Sequence, residues 1–208
     1  PNLATPGPGG DPARLERELD RLHALGLDDL RVLAISEGPN QAPWRLTPTT
    51  EPMPGHLDQD MARGLDRFLD ATRRRGMRVV LCLGNFWFWS GGVAQRRQWA
   101  GRGEIPYPEM LGSSWQTYSR FAADFWVDDE AKATWRASIR AVVGRTSEHG
   151  RLYRDDPTIA AWELMNEPRG GARGQAMQAE LEAAAQEIHA LDPHHLVTTG
   201  SEGTTADP

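Results

Sequence analysis

The feature that most constrains the fold is a helical segment followed by a short apolar run, repeated four times along the chain. The apolar runs occupy residues 30–36, 79–83, 159–165 and 196–200. They are nearly continuous rather than alternating with polar residues, which is typical of strands in a parallel sheet. Parallel strands need a crossover between them, and the intervening helices supply it. The pattern therefore predicts an α/β fold with a parallel sheet.

The four helices are predicted from apolar residues at helical spacing. The first begins at Pro12 after the capping residue Asp11 and ends near Gly26, and the second runs from about Leu57 to Arg75. The third and fourth are marked by the apolar residues Trp135, Ile139, Val142 and Val143, and by Met177, Leu181, Ile188 and Leu191.

Composition excludes several classes of protein. The chain has 208 residues, a net charge of −6 and a single cysteine, Cys82, which lies in an apolar run and is expected to be buried. The sequence shows no basic patch of the kind that binds nucleic acid. It also shows no polybasic, amphipathic or long apolar segment, so no membrane partner is expected. The six histidines lack ligand spacing, so no metal or cofactor is expected. Residues 1–10 are predicted to be a linker or a truncated loop.

The third apolar run ends abruptly in Asn166-Glu167-Pro168. Pro168 lacks a backbone N–H and restricts the residue before it, so it should end the strand. An amide and a carboxylate are then presented at the carboxyl end of a buried strand, which is where parallel α/β folds place their chemistry. A solvated strand end is the alternative interpretation of these three residues alone.

The sequence between the second strand and the third long helix, residues 84–129, is too long for an ordinary connection and therefore suggests a functional loop. Its helically spaced residues Tyr118, Phe121 and Phe125 indicate ordinary packing. The segment Phe86 to Trp89 fits no simple core pattern and follows directly from a strand end.

The string Trp-Glu-Leu-Met-Asn-Glu-Pro-Arg, residues 162–169, resembles the acid/base strand of the family 5 glycoside hydrolases, which are (β/α)8 barrels. The match is closest to the endo-β-1,4-mannanases. The resemblance implies that Glu167 protonates the departing glycosidic oxygen and later acts as base. It also implies that Asn166 binds the sugar 2-hydroxyl.

Further motifs extend the resemblance from about residue 11 to residue 203. Residues 30–38 resemble the second barrel strand, 85–92 the third-strand loop of bacterial mannanases, and 199–203 the end of the fifth strand. The resemblance implies that Arg31 points into the barrel and supports the nucleophile. A charge within an apolar run is also costly unless it is paired. We therefore expect residues 11–208 to be a partial catalytic domain with about strands 2 to 5 of the barrel.

In the family the nucleophilic glutamate lies on the seventh strand, which has no counterpart here. Neither Glu163, four residues before the candidate acid on the same strand, nor Glu202 is expected to replace it. The isolated chain is therefore expected to be inactive.

Several residues are candidates for substrate binding. By resemblance, Trp87 and Asn85 fall on substrate-contacting positions, and the flat ring of Trp87 suits the C–H face of a pyranose. Trp89 and Trp99 are expected to be structural. Arg169 and Glu202 follow neighbouring strands and are predicted to pair on the leaving-group side of a cleft.

These expectations imply retaining endo-hydrolysis of β-1,4-mannosidic linkages in mannan, glucomannan or galactomannan by the full-length protein. The resemblance also implies secretion, although no signal peptide is visible in this chain, which begins at Pro1. Alternatives are a cellulase-like β-1,4-glycanase and a non-catalytic glycan-binding fragment. A doubly wound domain unrelated to sugars is a third, but no strand is followed by the Gly-rich dinucleotide motif.

Overall fold

The structure is a computed structural model that describes residues 2–5, 10–42, 44–108 and 112–202. Four strands form its sheet: β1 (Asp29–Leu33), β2 (Arg78–Cys82), β3 (Ile159–Glu163) and β4 (Leu196–Thr198). The helices are α1 (Pro12–Ala24), α2 (Gln59–Arg73), α3 (Gly92–Trp99), α4 (Trp115–Ala123), α5 (Asp129–Val143) and α6 (Gly174–Leu191).

The sheet is parallel throughout, and its spatial order β1-β2-β3-β4 follows the chain. This confirms the predicted alternation of helix and parallel strand. Leu33 pairs with Cys82, Cys82 with Glu163, and Glu163 with Thr198, so the strand ends are in register. Residues that follow the four strands are therefore gathered at one edge of the sheet.

Capping residues fix where the helices begin. The Asp11 carboxylate accepts a hydrogen bond from the Arg14 amide at 2.8 Å, as expected for a cap in front of Pro12. Asp58 caps α2 in the same way, and this cap explains why α2 begins two residues later than the predicted Leu57.

The long segment between β2 and α5 is not a structureless loop, because it contains α3 and α4. Ser114 caps α4 by accepting from the Thr117 amide at 3.1 Å. Tyr118 and Phe125 are fully buried, which confirms their predicted packing role. The segment therefore packs into the same apolar core as the sheet, and this packing can hold the residues at its start in fixed positions.

One face of the sheet packs against the helices. Val79, Leu81 and Trp162 belong to a single apolar core with residues of the flanking helices, among them Leu69, Trp135 and Ile188. Cys82 is buried, as predicted, and burial raises the pKa of its thiol. Arg31 and Glu163 contact each other on the sheet, outside this apolar core.

The start of the chain contains a short helical turn. Within the predicted linker, Asn2–Ala4 form a short 3₁₀ helix with Ala4 buried, whereas residues 1 and 6–9 lie outside the described residues. No helix in the described ranges is both long and apolar enough to span a membrane.

Candidate active site

Two asparagines at the edge of the sheet join the ends of β2 and β3. The Asn166 amide donates to the Gly84 carbonyl at 2.9 Å, and the Phe86 amide donates to the Asn166 carbonyl at 3.1 Å. Backbone pairing thus continues past the regular strands. It brings the side chains of Asn85 and Asn166 together, and the Asn166 Nδ2 donates to the Asn85 Oδ1 at 3.0 Å.

Arg31, on β1, connects Asn166 at this edge with Glu163, the last residue of β3. Its Nε donates to Glu163 Oε2 at 2.7 Å, its Nη2 donates to Asn166 Oδ1 at 2.8 Å, and Nη2 also contacts Glu163 Oε1. The hydrogen bonds with Glu163 raise the pKa of the Arg31 guanidinium above its usual value. The expectation that Arg31 must be paired is confirmed. Its predicted support of a nucleophile stays a prediction.

Glu167 is held at both its backbone and its carboxylate. Its φ angle is +51°, a left-handed conformation that is uncommon for a residue other than glycine. The Glu167 amide donates to the Gly200 carbonyl at 3.0 Å, and the carboxylate Oε2 accepts from the indole Nε1 of Trp87 at 2.5 Å. Strained conformations of this kind concentrate at functional sites, where the surroundings hold them in place.

The carboxylate faces an open cleft with aromatic walls. The cleft is lined by Glu167 and Asn166 and by the aromatic side chains Trp87, Phe88, Trp89 and Trp115. Trp89 is 40% exposed and Trp115 is 47% exposed. The structure therefore places Trp89 at the cleft, although a structural role was expected for it, and adds Trp115, which the sequence did not single out.

Trp87 connects several parts of the site. Its backbone amide donates to the Asn85 Oδ1 at 3.1 Å, and its ring stacks on Tyr118 with a centroid separation of 6.2 Å. The Arg169 guanidinium lies 5.1 Å from the Trp87 ring centroid. The predicted contact between Arg169 and Glu202 is also present, as an ion pair. The roles of these residues in substrate binding stay predictions.

A buried charge cluster, which the sequence did not reveal, contacts the chain just after the aromatic segment Phe86 to Trp89. The Arg96 guanidinium lies 2.9 Å from carboxylate oxygens of both Glu37 and Glu51, and all three side chains are almost completely buried. Glu37 also accepts from the Gly92 amide at 2.9 Å. Burial raises the pKa of Glu37, with the Arg96 charge acting against it.

Next to this cluster, the backbone of Gly91 lies very close to the backbone of Glu37. A Cβ at Gly91 would lie 1.9 Å from the Glu37 carbonyl oxygen, and its φ is +91°, so no other residue fits. The turn that ends the Trp87 segment is therefore locked against the residues that follow β1.

The arrangement suits a neutral, polyhydroxylated ligand. A carboxyl group can exchange a proton, two amides can read hydroxyl groups, and aromatic faces can pack on sugar C–H groups. Within the described part of the chain, no group of three His, Cys, Asp or Glu side chains is placed to hold a metal ion.

Comparison with known proteins agrees with this geometry. Residues 2–208 match a family profile described as "GH family 5 beta-mannosidase-like". The chain belongs to glycoside hydrolase family 5. Mannan endo-1,4-beta-mannosidase 8 of Oryza sativa subsp. japonica is 33% identical to it over 181 residues, which make up 86% of this chain and 44% of the relative.

Solved structures of the family are similar along almost the whole chain. A crystal structure of a family 5 mannosidase from Rhizomucor miehei is 36% identical with a TM-score of 0.90, covering 99% of this chain and 50% of that one. A mutant of that mannosidase, in complex with mannosyl-fructose, is 35% identical with the same TM-score and coverage. The predicted partial (β/α)8 barrel is confirmed, and this family 5 chain spans about half the length of the relatives it matches.

Proposed function

We propose that the full-length protein hydrolyses β-1,4-mannosidic linkages within mannan, glucomannan or galactomannan chains, with retention of configuration. The observation that carries this proposal is the position of Glu167: its carboxylate accepts the Trp87 indole N–H beside Asn166, at the mouth of an aromatic cleft. The plant relatives named mannan endo-1,4-beta-mannosidases support the same activity.

In the proposed mechanism Glu167 first donates its proton to the departing glycosidic oxygen, and then takes a proton from the water that attacks the glycosyl-enzyme. Retention requires a second carboxyl group about 5–5.5 Å from the first. We propose that this nucleophile comes from a part of the full-length barrel outside these 208 residues. The cation of Arg31, which already pairs with Glu163, would face it across the barrel.

The neighbouring residues have proposed roles in binding. Asn166 is held by Arg31 on one side and Asn85 on the other, so its amide is oriented for a sugar hydroxyl. The Trp87 ring offers an apolar platform beside the reacting bond. The paired Arg169 and Glu202 would bind hydroxyl groups on the leaving-group side.

A second candidate is removal of single mannose units from chain ends, because both solved structures named above are described as mannosidases. Mannohexaose labelled at its reducing end separates the two reactions. Internal cleavage releases labelled di- and trisaccharides from the start, whereas end-wise cleavage releases labelled mannopentaose first. Initial products of the second kind would replace the endo proposal by the mannosidase one.

The cellulase-like alternative is tested with the same assay on cellohexaose. We expect mannohexaose to be the preferred substrate of the full-length protein. Faster cleavage of cellohexaose would favour the cellulase-like alternative, and binding of mannohexaose without cleavage would favour a glycan-binding protein.

A further inference from the structure

Exposed aromatic rings are concentrated at one edge of the molecule. Among the described Phe, Tyr and Trp residues, those with exposed side chains are Trp44, Trp89 and Trp115, at 43%, 40% and 47%. All three belong to segments that follow β1 or β2, on the side of the sheet where the candidate active site lies. Large rings left in water forgo the stabilisation of burial, and their clustering marks a binding surface.

Trp44 is one of these exposed rings, and its backbone is strained. Its φ is +52°, the left-handed region that a bulky residue rarely adopts. Glycine or asparagine would occupy this position at lower cost. A strained backbone that presents an exposed ring indicates that the ring itself is used.

The next residue holds this conformation in place. The Arg45 Nη1 donates to the Glu37 carbonyl at 3.0 Å and to the Gln95 Oε1 at 2.7 Å, and its Nη2 donates to the Tyr107 hydroxyl. A Cβ at Gly38 would lie 1.8 Å from the Arg45 Nη1, so the guanidinium fills the space that glycine leaves open. Arg45 therefore anchors the chain directly after Trp44.

A continuous series of ring contacts joins Trp44 to the candidate acid. Trp44 contacts Tyr107 at a centroid separation of 5.6 Å, Tyr107 contacts Phe88 at 5.5 Å, and Phe88 stacks on Trp115 at 6.0 Å. Trp115 in turn contacts Trp87 at 5.8 Å, and the Trp87 indole donates to Glu167. This aromatic band runs from Glu167 to the loop that follows β1.

We propose that Trp44 is the platform of a remote sugar-binding subsite, which holds a backbone mannose of the polysaccharide several residues from the bond that is cleaved. The proposal rests on the proposed function. A flat ring suits the C–H face of a pyranose, and Gln41, an exposed residue three positions earlier in the chain, carries an amide of the kind that bonds sugar hydroxyl groups.

The middle rings of the band, Phe88 and Tyr107, are buried, but the Leu46 amide donates to the carbonyl of the cleft residue Trp89 at 2.8 Å. The loop that carries Trp44 therefore adjoins the cleft, which favours a single extended glycan over a separate partner.

The strand order assigns this subsite to one side of the reaction. The Arg169–Glu202 pair, on the proposed leaving-group side, follows β3 and β4, whereas Trp44 follows β1 at the other end of the sheet. Trp44 therefore binds a sugar on the non-reducing side of the cleaved bond.

The test uses the full-length protein and aryl β-mannosides, and it measures release of the aryl group, because every sugar lies on that side when the aryl group is the leaving group. Trp44→Asn removes the ring and suits the left-handed backbone, and Trp44→Tyr restores a ring. Leu46→Asn, which removes another exposed apolar side chain from the same loop, is the matched control. For Trp44→Asn, the loss in kcat/KM on an aryl mannopentaoside should be about threefold to tenfold larger than the loss on an aryl mannobioside. Trp44→Tyr should recover most of this ratio, and Leu46→Asn should not change it.

Thermal unfolding shows whether the loop has collapsed. Trp44→Asn should unfold at the same temperature as the wild type or higher, because the backbone strain is relieved. Equal losses on the two aryl substrates, or no loss on either, would overturn the subsite. A loss that instead grows with sugars added to the leaving-group side would overturn its placement.

Failure of the proposed function has a different signature, namely that the wild type cleaves neither aryl mannoside. In that case the affinity for mannohexaose, measured by calorimetry, still decides the subsite. Weaker binding by Trp44→Asn but not by Leu46→Asn would support it, and equal binding by all three proteins would refute it.

Discussion

Replacing Arg31 by methionine tests whether its network holds the candidate site together. Methionine is about as long as the apolar part of arginine and has no hydrogen-bond donor. The change removes the hydrogen bonds that Arg31 donates to the carboxylate of Glu163, together with the one it donates at 2.8 Å to the amide oxygen of Asn166. The Glu163 side chain is only 5% exposed, so its carboxylate would keep most of its burial but lose its cation.

The expected cost follows from the exposure of the two partners. Removing one member of a fully buried ion pair costs about 3–5 kcal/mol, whereas a fully exposed pair contributes at most about 1 kcal/mol. The Arg31 side chain is 51% exposed and Glu163 is buried, so the pair lies between these limits. We expect Arg31→Met to lower the free energy of unfolding of the full-length protein by at least about 2–3 kcal/mol, because the rest of the barrel would add to the burial of the pair.

A double-mutant cycle of Arg31→Met and Glu163→Leu, with stability measured by urea unfolding, gives the interaction free energy between the two side chains. An apolar pair leaves no buried charge, so the double variant should be more stable than the sum of the single changes, by about 1–3 kcal/mol. Activity should stay about tenfold or more below the wild type in kcat/KM, because Asn166 still lacks its donor. Strictly additive changes in stability would refute the argument that Glu163 depends on Arg31.

Two further predictions concern charge pairs. Arg96→Met should cost about 3–5 kcal/mol at neutral pH, because it leaves Glu37 and Glu51 buried without their cation. Burial raises the pKa of Glu37 above its unfolded value, so its contribution to stability is present below the unfolded pKa and is lost as the pH rises through the folded pKa. The cost of Arg96→Met measured by urea unfolding should therefore shrink as the pH is lowered from neutral toward the usual pKa of a glutamate, because Glu37 can then bind a proton. Arg169→Ala and Glu202→Gln should each lower kcat/KM on mannopentaose by about tenfold, but on aryl mannobioside much less, because the pair is proposed to lie on the leaving-group side. Equal losses on both substrates would contradict this placement.

The sequence was sufficient for the alternation of helices and strands because apolar periodicity is a local signal. It was less accurate at element ends. The apolar run 159–165 extends two residues beyond β3, since Leu164 and Met165 stay buried after the regular pairing ends. The helix α3 was missed because it is only eight residues long and has few apolar residues. The helical spacing of Tyr118 and Phe121 in α4 was recognised, but no helix was assigned to it.

At the site, the sequence identified side chains that lie in short recognisable strings, such as Asn166-Glu167-Pro168. It could not identify partners that are distant along the chain. Arg31 and Glu163 are 132 residues apart, and no local pattern assigns one to the other. The same holds for the buried cluster around Arg96, and for Trp115, which reaches the cleft only because α4 packs behind the aromatic segment.

The central claim is that Glu167 is the general acid/base, and its replacement by alanine in the full-length enzyme tests this most directly. A positioned acid contributes about 10²- to 10⁴-fold. Glu167→Ala should therefore slow the cleavage of mannan, and of aryl mannosides with poor leaving groups, by this factor. For an activated dinitrophenyl mannoside, the step that releases the leaving group should be slowed far less. Glu182→Ala, which removes an exposed carboxylate from α6, is the matched control and should leave all rates near those of the wild type.

Azide then distinguishes an acid/base from a residue that only maintains the structure. It needs no general base to attack the glycosyl-enzyme, so it should accelerate turnover of the activated mannoside by Glu167→Ala and give a β-mannosyl azide of retained configuration. An equal loss of activity on all leaving groups, with no acceleration by azide and no azide adduct, would contradict the assignment of Glu167.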